Sequence, residues 1–275
     1  MGLSDNELGF YYTLNDAWTS MCEQVLEGEE VAGTHEKSNV RFTLLDINEN
    51  LLTTRHNFSL PYYLGEMTWY GVGSNETDFI SKFGKIWERL SDDGVTNNSA
   101  YGYILKYKHG FNQIDKMIEL LKEDPNSRRA VININVPNEN VIETNDEMCT
   151  IALQFLLRDG ELNATGIMRS NDLWTGTPYD IFYFTEIQKY IARSLGVGYG
   201  TYTHFVTSMH IYDRDLGNIE NSIDAYYKGK DVNIEIDGEK LLNWSQSIFD
   251  TVKNSDDHKK EIVEVCERLG IWKEI

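Results

Sequence analysis

Apolar positions in this chain recur at two spacings, and the switches between them outline its elements. Trp18, Met21, Cys22 and Val25 repeat at helical period and predict a helix over about Asn15 to Leu26. Val-Arg-Phe-Thr-Leu-Leu from Val40 reads as a strand. Ser59 ahead of Pro61 opens a helix over Leu60 to Gly71, which carries Glu66 and Trp69. After a Gly-Val-Gly-Ser-Asn break, Phe79, Ile80, Phe83, Ile86, Trp87 and Leu90 predict one further helix. Asp92 to Tyr103 reads as a polar loop. Ile114, Met117, Ile118 and Leu121 face inward on a helix from Asn112 to Glu123, stopped by Asp124-Pro125. Ala130 to Val136 reads as a strand. Ile151 to Leu157 and Leu162 to Met168 then form a hairpin across Arg158-Asp159-Gly160. A long helix from Asp180 to Leu195 is closed by Gly196, a strand runs from Thr201 to Tyr212, and two helical stretches finish the chain.

Strands that are grouped rather than alternating strictly with helices indicate an α+β class. With no repeat, low-complexity linker or shift of composition, one domain over residues 1–275 is expected. No apolar run is long enough to span a bilayer and no basic-then-apolar leader opens the chain, so a cytoplasmic location is expected. A net charge of −19 argues against nucleic acid or an anionic membrane as partner. A single nucleotide is different, because two or three well-placed arginines can hold it.

The chemistry-bearing residues are few. Three cysteines give no disulfide framework. Cys22 and Cys266 fall on apolar helical stripes and read as core. Cys149 does not; it opens the hairpin whose returning arm ends at Arg169, and a cation nearby is what a nucleophilic thiol needs. A free cysteine is more often a small buried hydrophobe. Arg128-Arg129, after Asp-Pro-Asn-Ser, present two guanidiniums together, and Arg169-Ser170 add a third guanidinium and a hydroxyl. An isolated Arg-Arg pair is ordinarily a solvated surface pair; three arginines and a serine together suit a phosphate dianion. Glu66, beside Trp69 and Tyr70, is a candidate general acid/base. His210 and Tyr212 share one face of a strand and suit a sugar hydroxyl. No CxxC, HExxH or histidine cluster has ligand spacing, so no metal is expected.

Glu66-Met-Thr-Trp69, Asp124-Pro-Asn-Ser-Arg-Arg129, the Cys149 segment, Arg169-Ser-Asn-Asp172, Gly176-Thr-Pro178 and His210-Ile-Tyr212 occur in the order and approximate spacing of the thymidylate synthase family. The chain resembles that family from about Asn15 to Asp213. Met-Cys-Thr and Met-Arg-Ser-Asn-Asp look like its phage-type deoxycytidylate hydroxymethylases. The resemblance implies a mixed or antiparallel sheet flanked by helices and packing sheet-to-sheet in a homodimer. It implies dCMP and reduced folate as partners, with 5,10-methylenetetrahydrofolate as co-substrate. Cys149 matches the nucleophile that adds to carbon 6 of the pyrimidine, and Glu66 the acid/base beside the ring. Arg169 and Ser170 match phosphate ligands of the same subunit, while Arg128 and Arg129 match those reaching across the dimer. His210 and Tyr212 match the pair on the 3′-hydroxyl. Asp172 matches a catalytic aspartate beside the pterin, where Gly176 and Trp87 also belong. Tyr101 and Asn171 fall on the nucleotide side, and Lys37 lies near a loop that adds a basic phosphate contact.

Three positions depart from the synthases. Asp180 stands where they have asparagine, Thr150 where they have histidine, and the tail Gly270-Ile-Trp-Lys-Glu-Ile275 does not resemble the segment that closes over folate. An acid can offer cytosine the donor to its ring nitrogen and the acceptor for its amine, so Asp180 points to dCMP, although a helix-capping aspartate would look the same. The implied reaction is transfer of the one-carbon unit to carbon 5 of dCMP and its hydration. dUMP or CMP hydroxymethylation, methylation, and a catalytically silent nucleotide binder are the alternatives.

Overall fold

The computed structural model describes residues 9–135 and 141–275; Val136, the expected end of one strand, lies outside them. The backbone gathers into two units, Met1–Phe58 with Met117–Asn133 and Cys149–Val232, and Ser59–Lys116 with Ile134–Met148 and Asn233–Ile275.

The first unit is built on a mixed sheet. Its strands are β1 (Phe10–Tyr11), β2 (Glu29–Val31), β3 (Thr34–Leu44), β4 (Val131–Asn133), β5 (Thr150–Arg158), β6 (Glu161–Met168), β7 (Asn171–Asp172) and β8 (Gly198–Tyr212). They run in the order β1-β3-β8-β6-β5-β4, with β2 added to β3 and β7 to β8. The β5–β6 hairpin turns through Asp159 and Gly160, both at positive φ (51° and 82°), which is the type I′ geometry that Asp-Gly favours. β6 then pairs parallel with β8, and β8 antiparallel with β3.

Three helices accompany the sheet: α1 (Leu14–Leu26), α7 (Thr177–Leu195) and α8 (Leu216–Tyr227), once α2 (Leu60–Val72), α3 (Thr77–Ser81), α4 (Ile86–Leu90), α5 (Tyr101–Lys106) and α6 (Gln113–Glu123) are numbered between them. α1 starts at Thr13, whose hydroxyl accepts from Asp16 N–H at 3.1 Å, and buries Leu14, Ala17, Trp18, Met21, Cys22 and Val25. Trp18 Nε1 donates to the Leu173 carbonyl at 2.7 Å, pinning the segment that follows β7. α7 packs against β6 and β8 and is buried nearly all round. Its interior polar pair, Lys189 Nζ to Glu186 at 2.7 Å, is completed by Asn50 at 2.9 Å, as a buried ion pair requires.

The second unit is helical. α2 packs on α5, α9 (Gly238–Val252) and α10 (His258–Arg268), and a two-stranded sheet joins β9 (Ile234–Ile236) to β10 (Trp272–Glu274). The divergent tail is therefore a paired strand, with Trp272 Nε1 donating to the Val263 carbonyl at 3.0 Å.

Several expectations are corrected. The single helix expected over Phe79 to Leu90 is two, α3 and α4. At Gly84, between them, an added Cβ would lie 2.6 Å from the Tyr62 ring. The expected loop to Tyr103 ends at Ala100, and α5 begins at Tyr101. Three helices, not two, follow β8. α7 starts at Thr177 with Gly176 at its cap, so Asp180 lies in the first turn and caps nothing.

Candidate active site

The hairpin carries the thiol to its cation. Cys149 directly precedes β5 and Arg169 directly follows β6, and Arg169 N–H donates to the Cys149 carbonyl at 2.9 Å. That backbone link holds the two side chains abreast, with Arg169 Nη2 3.7 Å from Cys149 Sγ. A guanidinium at this range stabilises negative charge on sulfur. Cys149 is half-buried and Arg169 exposed, so the pair is accessible from one side. A register shift between Thr150 and Ala152 bulges β5 beside the thiol. Ser170 is half-buried next to Arg169, whose carbonyl accepts from Thr207 Oγ1 at 2.5 Å.

Beyond Ser170 the chain forms β7 and a tight turn. Asp172 accepts from Trp174 N–H at 2.7 Å, Thr175 N–H at 3.3 Å and the Thr175 hydroxyl, so its carboxylate shapes the turn into α7. Asn171 is buried. Its Oδ1 accepts from Thr177 Oγ1 at 2.7 Å and lies 2.9 Å from His204 Nε2, while its Nδ2 donates to Asp180 Oδ2 at 2.8 Å. His204 Nδ1 is in turn 2.9 Å from the Tyr202 hydroxyl. Burial pushes the Asp180 carboxyl up to about 7; the Asn171 hydrogen bond opposes that, and the nearby Asp172 charge adds to it. Burial also pushes His204 down to about 3 and Tyr202 well above the usual phenol range. Gly176 is required here by close approach: a Cβ on it would stand 2.8 Å from Asn171 Nδ2 and 3.2 Å from Asp180 Oδ2.

His210 and Tyr212, at the end of β8, are half-buried with rings 5.1 Å apart at 87°. Arg214 lies over the Tyr212 ring at 4.0 Å. Arg128 and Arg129 are exposed after the Asp124–Ser127 turn, with Arg129 3.8 Å from Asp124. Lys37 stands within β3, its ammonium donating to Gln24 at 3.0 Å.

In the second unit, Glu66 is 7% exposed on α2 and accepts from the Tyr62 hydroxyl at 2.8 Å, which accepts from Trp87 Nε1 at 3.0 Å. Trp69 stacks on Tyr70, and Tyr70 on Tyr101 at 5.5 Å, so Glu66, Trp87 and Tyr101 belong to one aromatic wall.

The structure thus joins Cys149 to Arg169, Asn171 to Asp180 and Gly176, His210 to Tyr212, and Glu66 to Trp87 through Tyr62. Sequence reasoning missed Tyr62, Tyr202, His204 and Arg55. The Arg55 guanidinium lies 4.0 Å from the Trp174 ring and 5.1 Å from that of Tyr179, with Nε and Nη1 buried and lacking a protein acceptor among the described residues. A histidine on the buried parity of β8 was the one available signal. Among the described residues no group of three or more His, Cys, Asp and Glu could hold a metal ion, and no helix is long and apolar enough to cross a membrane.

A family model described as thymidylate synthase matches residues 21–264. A deoxyuridylate hydroxymethyltransferase of Bacillus phage SP01 is 31% identical over 208 residues, covering 70% of this chain and 54% of that protein. One from Pseudomonas phage M6 is 29% identical over 161 residues, 58% of this chain and 46% of the relative. Thymidylate synthase 1 of Bacillus spizizenii is 28% identical over 187 residues, 64% of this chain and 65% of the relative. The chain spans roughly half to two thirds of the length of these relatives.

Proposed function

The chain belongs to the thymidylate synthase family, and from that premise we propose that it transfers a one-carbon unit to carbon 5 of dCMP and hydrates it, giving 5-hydroxymethyl-dCMP. The observation that carries the reading is Asp180, a carboxyl that Asn171 Nδ2 orients at 2.8 Å and burial pushes up to about 7, where the synthases have asparagine. We read residues 1–275 as one catalytic domain, since the family match runs through both units.

Cys149, with Arg169 beside its sulfur, adds to carbon 6 of the pyrimidine, and the electron pair so released makes carbon 5 nucleophilic. Asp180 supplies a proton towards ring nitrogen 3, drawing electrons from carbon 6, and its other oxygen accepts from the exocyclic amine. Arg169 and Ser170 hold the phosphate, with Arg128 and Arg129 of a second copy; His210 and Tyr212 hold the 3′-hydroxyl. Glu66, set in its aromatic wall with Trp87 and Tyr101, moves protons at the ring. Bound 5,10-methylenetetrahydrofolate supplies the one-carbon unit. Asp172 and Gly176 shape the turn on the folate side. Loss of the carbon 5 proton expels tetrahydrofolate and leaves an exocyclic methylene; water adds there, and departure of the thiol from carbon 6 completes 5-hydroxymethyl-dCMP. A homodimer is supported by Ile167 and Phe205, register neighbours left half-buried on the sheet.

A second reading is dUMP as substrate, favoured by the deoxyuridylate named for the two phage relatives. Incubation with methylenetetrahydrofolate and dCMP, dUMP or CMP, followed by mass analysis, separates these. The expected product is 5-hydroxymethyl-dCMP with no rise in dihydrofolate absorbance. A methylated product accompanied by dihydrofolate, or faster turnover of dUMP, overturns the proposal. Absence of tritium release from carbon 5 of labelled dCMP with folate present indicates a silent nucleotide binder.

A further inference from the structure

A carboxylic acid alone cannot choose between cytosine and uracil. Cytosine offers a ring-nitrogen acceptor and an amine donor; uracil offers a ring N–H donor and a carbonyl acceptor. An acid with one O–H and one C=O matches either by moving its proton from one oxygen to the other. Discrimination needs something that makes the two oxygens unequal.

We propose that Tyr202, His204 and Asn171 are positioning residues that decide which Asp180 oxygen carries the proton, and hence which pyrimidine edge it reads. This deepens the reading of Asp180 given above and rests on it. Asn171 Nδ2 donates to Oδ2 at 2.8 Å, so Oδ2 faces the amide with a lone pair and the proton resides on Oδ1. Turning the amide over would undo this, and two donors on Asn171 Oδ1 prevent it: Thr177 Oγ1 at 2.7 Å and His204 Nε2 at 2.9 Å. His204 must then carry its hydrogen on Nε2. The Tyr202 hydroxyl, 2.9 Å from Nδ1, enforces that tautomer by donating there. His204, Tyr202, Asn171 and Thr177 are all buried, and they come from β8, β7 and the start of α7.

The surroundings are shaped for this chain of donors. Gly176 leaves room for the Asn171–Asp180 bond, and Gly166 leaves room for the Tyr202 hydroxyl, which would lie 2.3 Å from a Cβ there. Nothing in the packing of a β8 core position demands an imidazole, and a phenyl ring would fill similar volume. The ring's two nitrogens are both used, one to be oriented and the other to orient. With Oδ1–H directed at ring nitrogen 3, Oδ2 has a second lone pair for the exocyclic amine, which is the cytosine pattern.

The test compares kcat/KM for dCMP and dUMP in the whole protein and its Tyr202→Phe, His204→Phe and His204→Gln variants, with thermal melting alongside. Tyr202→Phe removes one oxygen and His204→Phe both ring nitrogens. Each is expected to lower the dCMP-to-dUMP ratio about tenfold or more, the factor that one misdirected buried hydrogen bond brings, through a higher KM for dCMP. His204→Gln keeps an N–H donor and is expected to restore most of the ratio. Equal loss with both nucleotides, or an unchanged ratio, overturns the relay. If His204→Phe does not fold, Tyr202→Phe decides alone. A wild-type preference for dUMP overturns the base assignment and the relay together, since the relay as drawn fixes the cytosine pattern; a dCMP preference that the variants leave unchanged overturns the relay alone. If the wild type turns over neither nucleotide, calorimetric Kd values for dCMP and dUMP supply the same ratio.

Discussion

At the scale of single residues, Asp180 is where chemistry and stability meet. Its carboxyl titrates at about 7 in the fold, against about 4 in an unfolded chain. The folded state therefore retains the proton through the window between these values. The stability this contributes is complete below about 4, falls as pH rises through the window, and is lost above about 7. His204 runs in the opposite sense, because burial holds it neutral and folding must expel its proton as pH falls below about 6.5. It is common to the wild type and to Asp180→Asn, so the difference between the two isolates Asp180. Denaturant midpoints are expected to show the wild type losing stability relative to Asp180→Asn between about pH 4 and pH 7, with no further loss above; parallel curves sink the assignment. The same substitution replaces an acid with an amide that donates to a carbonyl and accepts from a ring N–H. It is expected to shift preference from dCMP towards dUMP, with each mispaired group worth about 1–3 kcal/mol, or roughly five- to 150-fold. Retention of strict dCMP preference in steady-state assays refutes the base-reading role.

At the scale of elements, β6 and β8 run parallel with Gly166 opposite His204 in register, and the Tyr202 hydroxyl occupies the space that a side chain at 166 would need. Gly166→Ala is expected to destabilise the protein by about 1–3 kcal/mol through overpacking. Adding Tyr202→Phe removes the atom that would clash, leaving the next at 3.2 Å, and is expected to recover part of that loss. A double-mutant cycle in denaturant shows it as a coupling energy; strict additivity means the two positions do not meet. The neighbouring hairpin was legible because its signals are local: period-two alternation, an Asp-Gly turn, and Cys149 and Arg169 at equal distance from that turn. α1, α2 and α6 were legible for the same reason. The break at Gly84 was not, since the apolar stripe runs unbroken through it and the Tyr62 ring that leaves no room for a side chain there is distant in sequence. The start of α7 was misplaced by three residues because Asp180 looks like a cap, while Gly176 holds that position for want of space. Tyr202 and His204 read as ordinary core positions of a strand; their meaning lies in partners on β7, brought near by the sheet rather than by sequence. Tyr62 was hidden likewise, one helical turn before Glu66, where only the hydrogen bond gives it significance.

At the scale of the whole molecule, the proposed function asks a chain with net charge −19 to hold a doubly charged phosphate, so its arginines would have to act locally and in number. Arg169 and Ser170 provide one guanidinium and one hydroxyl beside the thiol. Arg128 and Arg129 are two more guanidiniums on an exposed turn, where Arg129 makes a long 3.8 Å contact with Asp124 and its Nε donates to Ser127 Oγ at 3.4 Å. A surface pair of that kind adds almost nothing to stability. On the proposed function it is left for an anion, and the proposed dimer would bring it to the partner's phosphate. That arrangement has a consequence no single-chain site shares. A Cys149→Ser protomer cannot attack but still lends its arginines; a protomer with Arg128→Gln and Arg129→Gln keeps its thiol but lends nothing. Each homodimer is expected to be nearly inactive, the second through weak nucleotide binding. In a mixed dimer, the site that retains Cys149 receives intact arginines from its neighbour, so one of the two sites is whole. Mixing the two inactive proteins and allowing subunits to exchange is therefore expected to restore dCMP turnover, rising with time towards a plateau set by the fraction of mixed dimers. If the arginines serve their own subunit, neither site is complete in any combination, and activity stays at the level of the separate proteins. Sedimentation of the wild type completes the test, since a monomer at assay concentration excludes exchange as the source of any recovered activity.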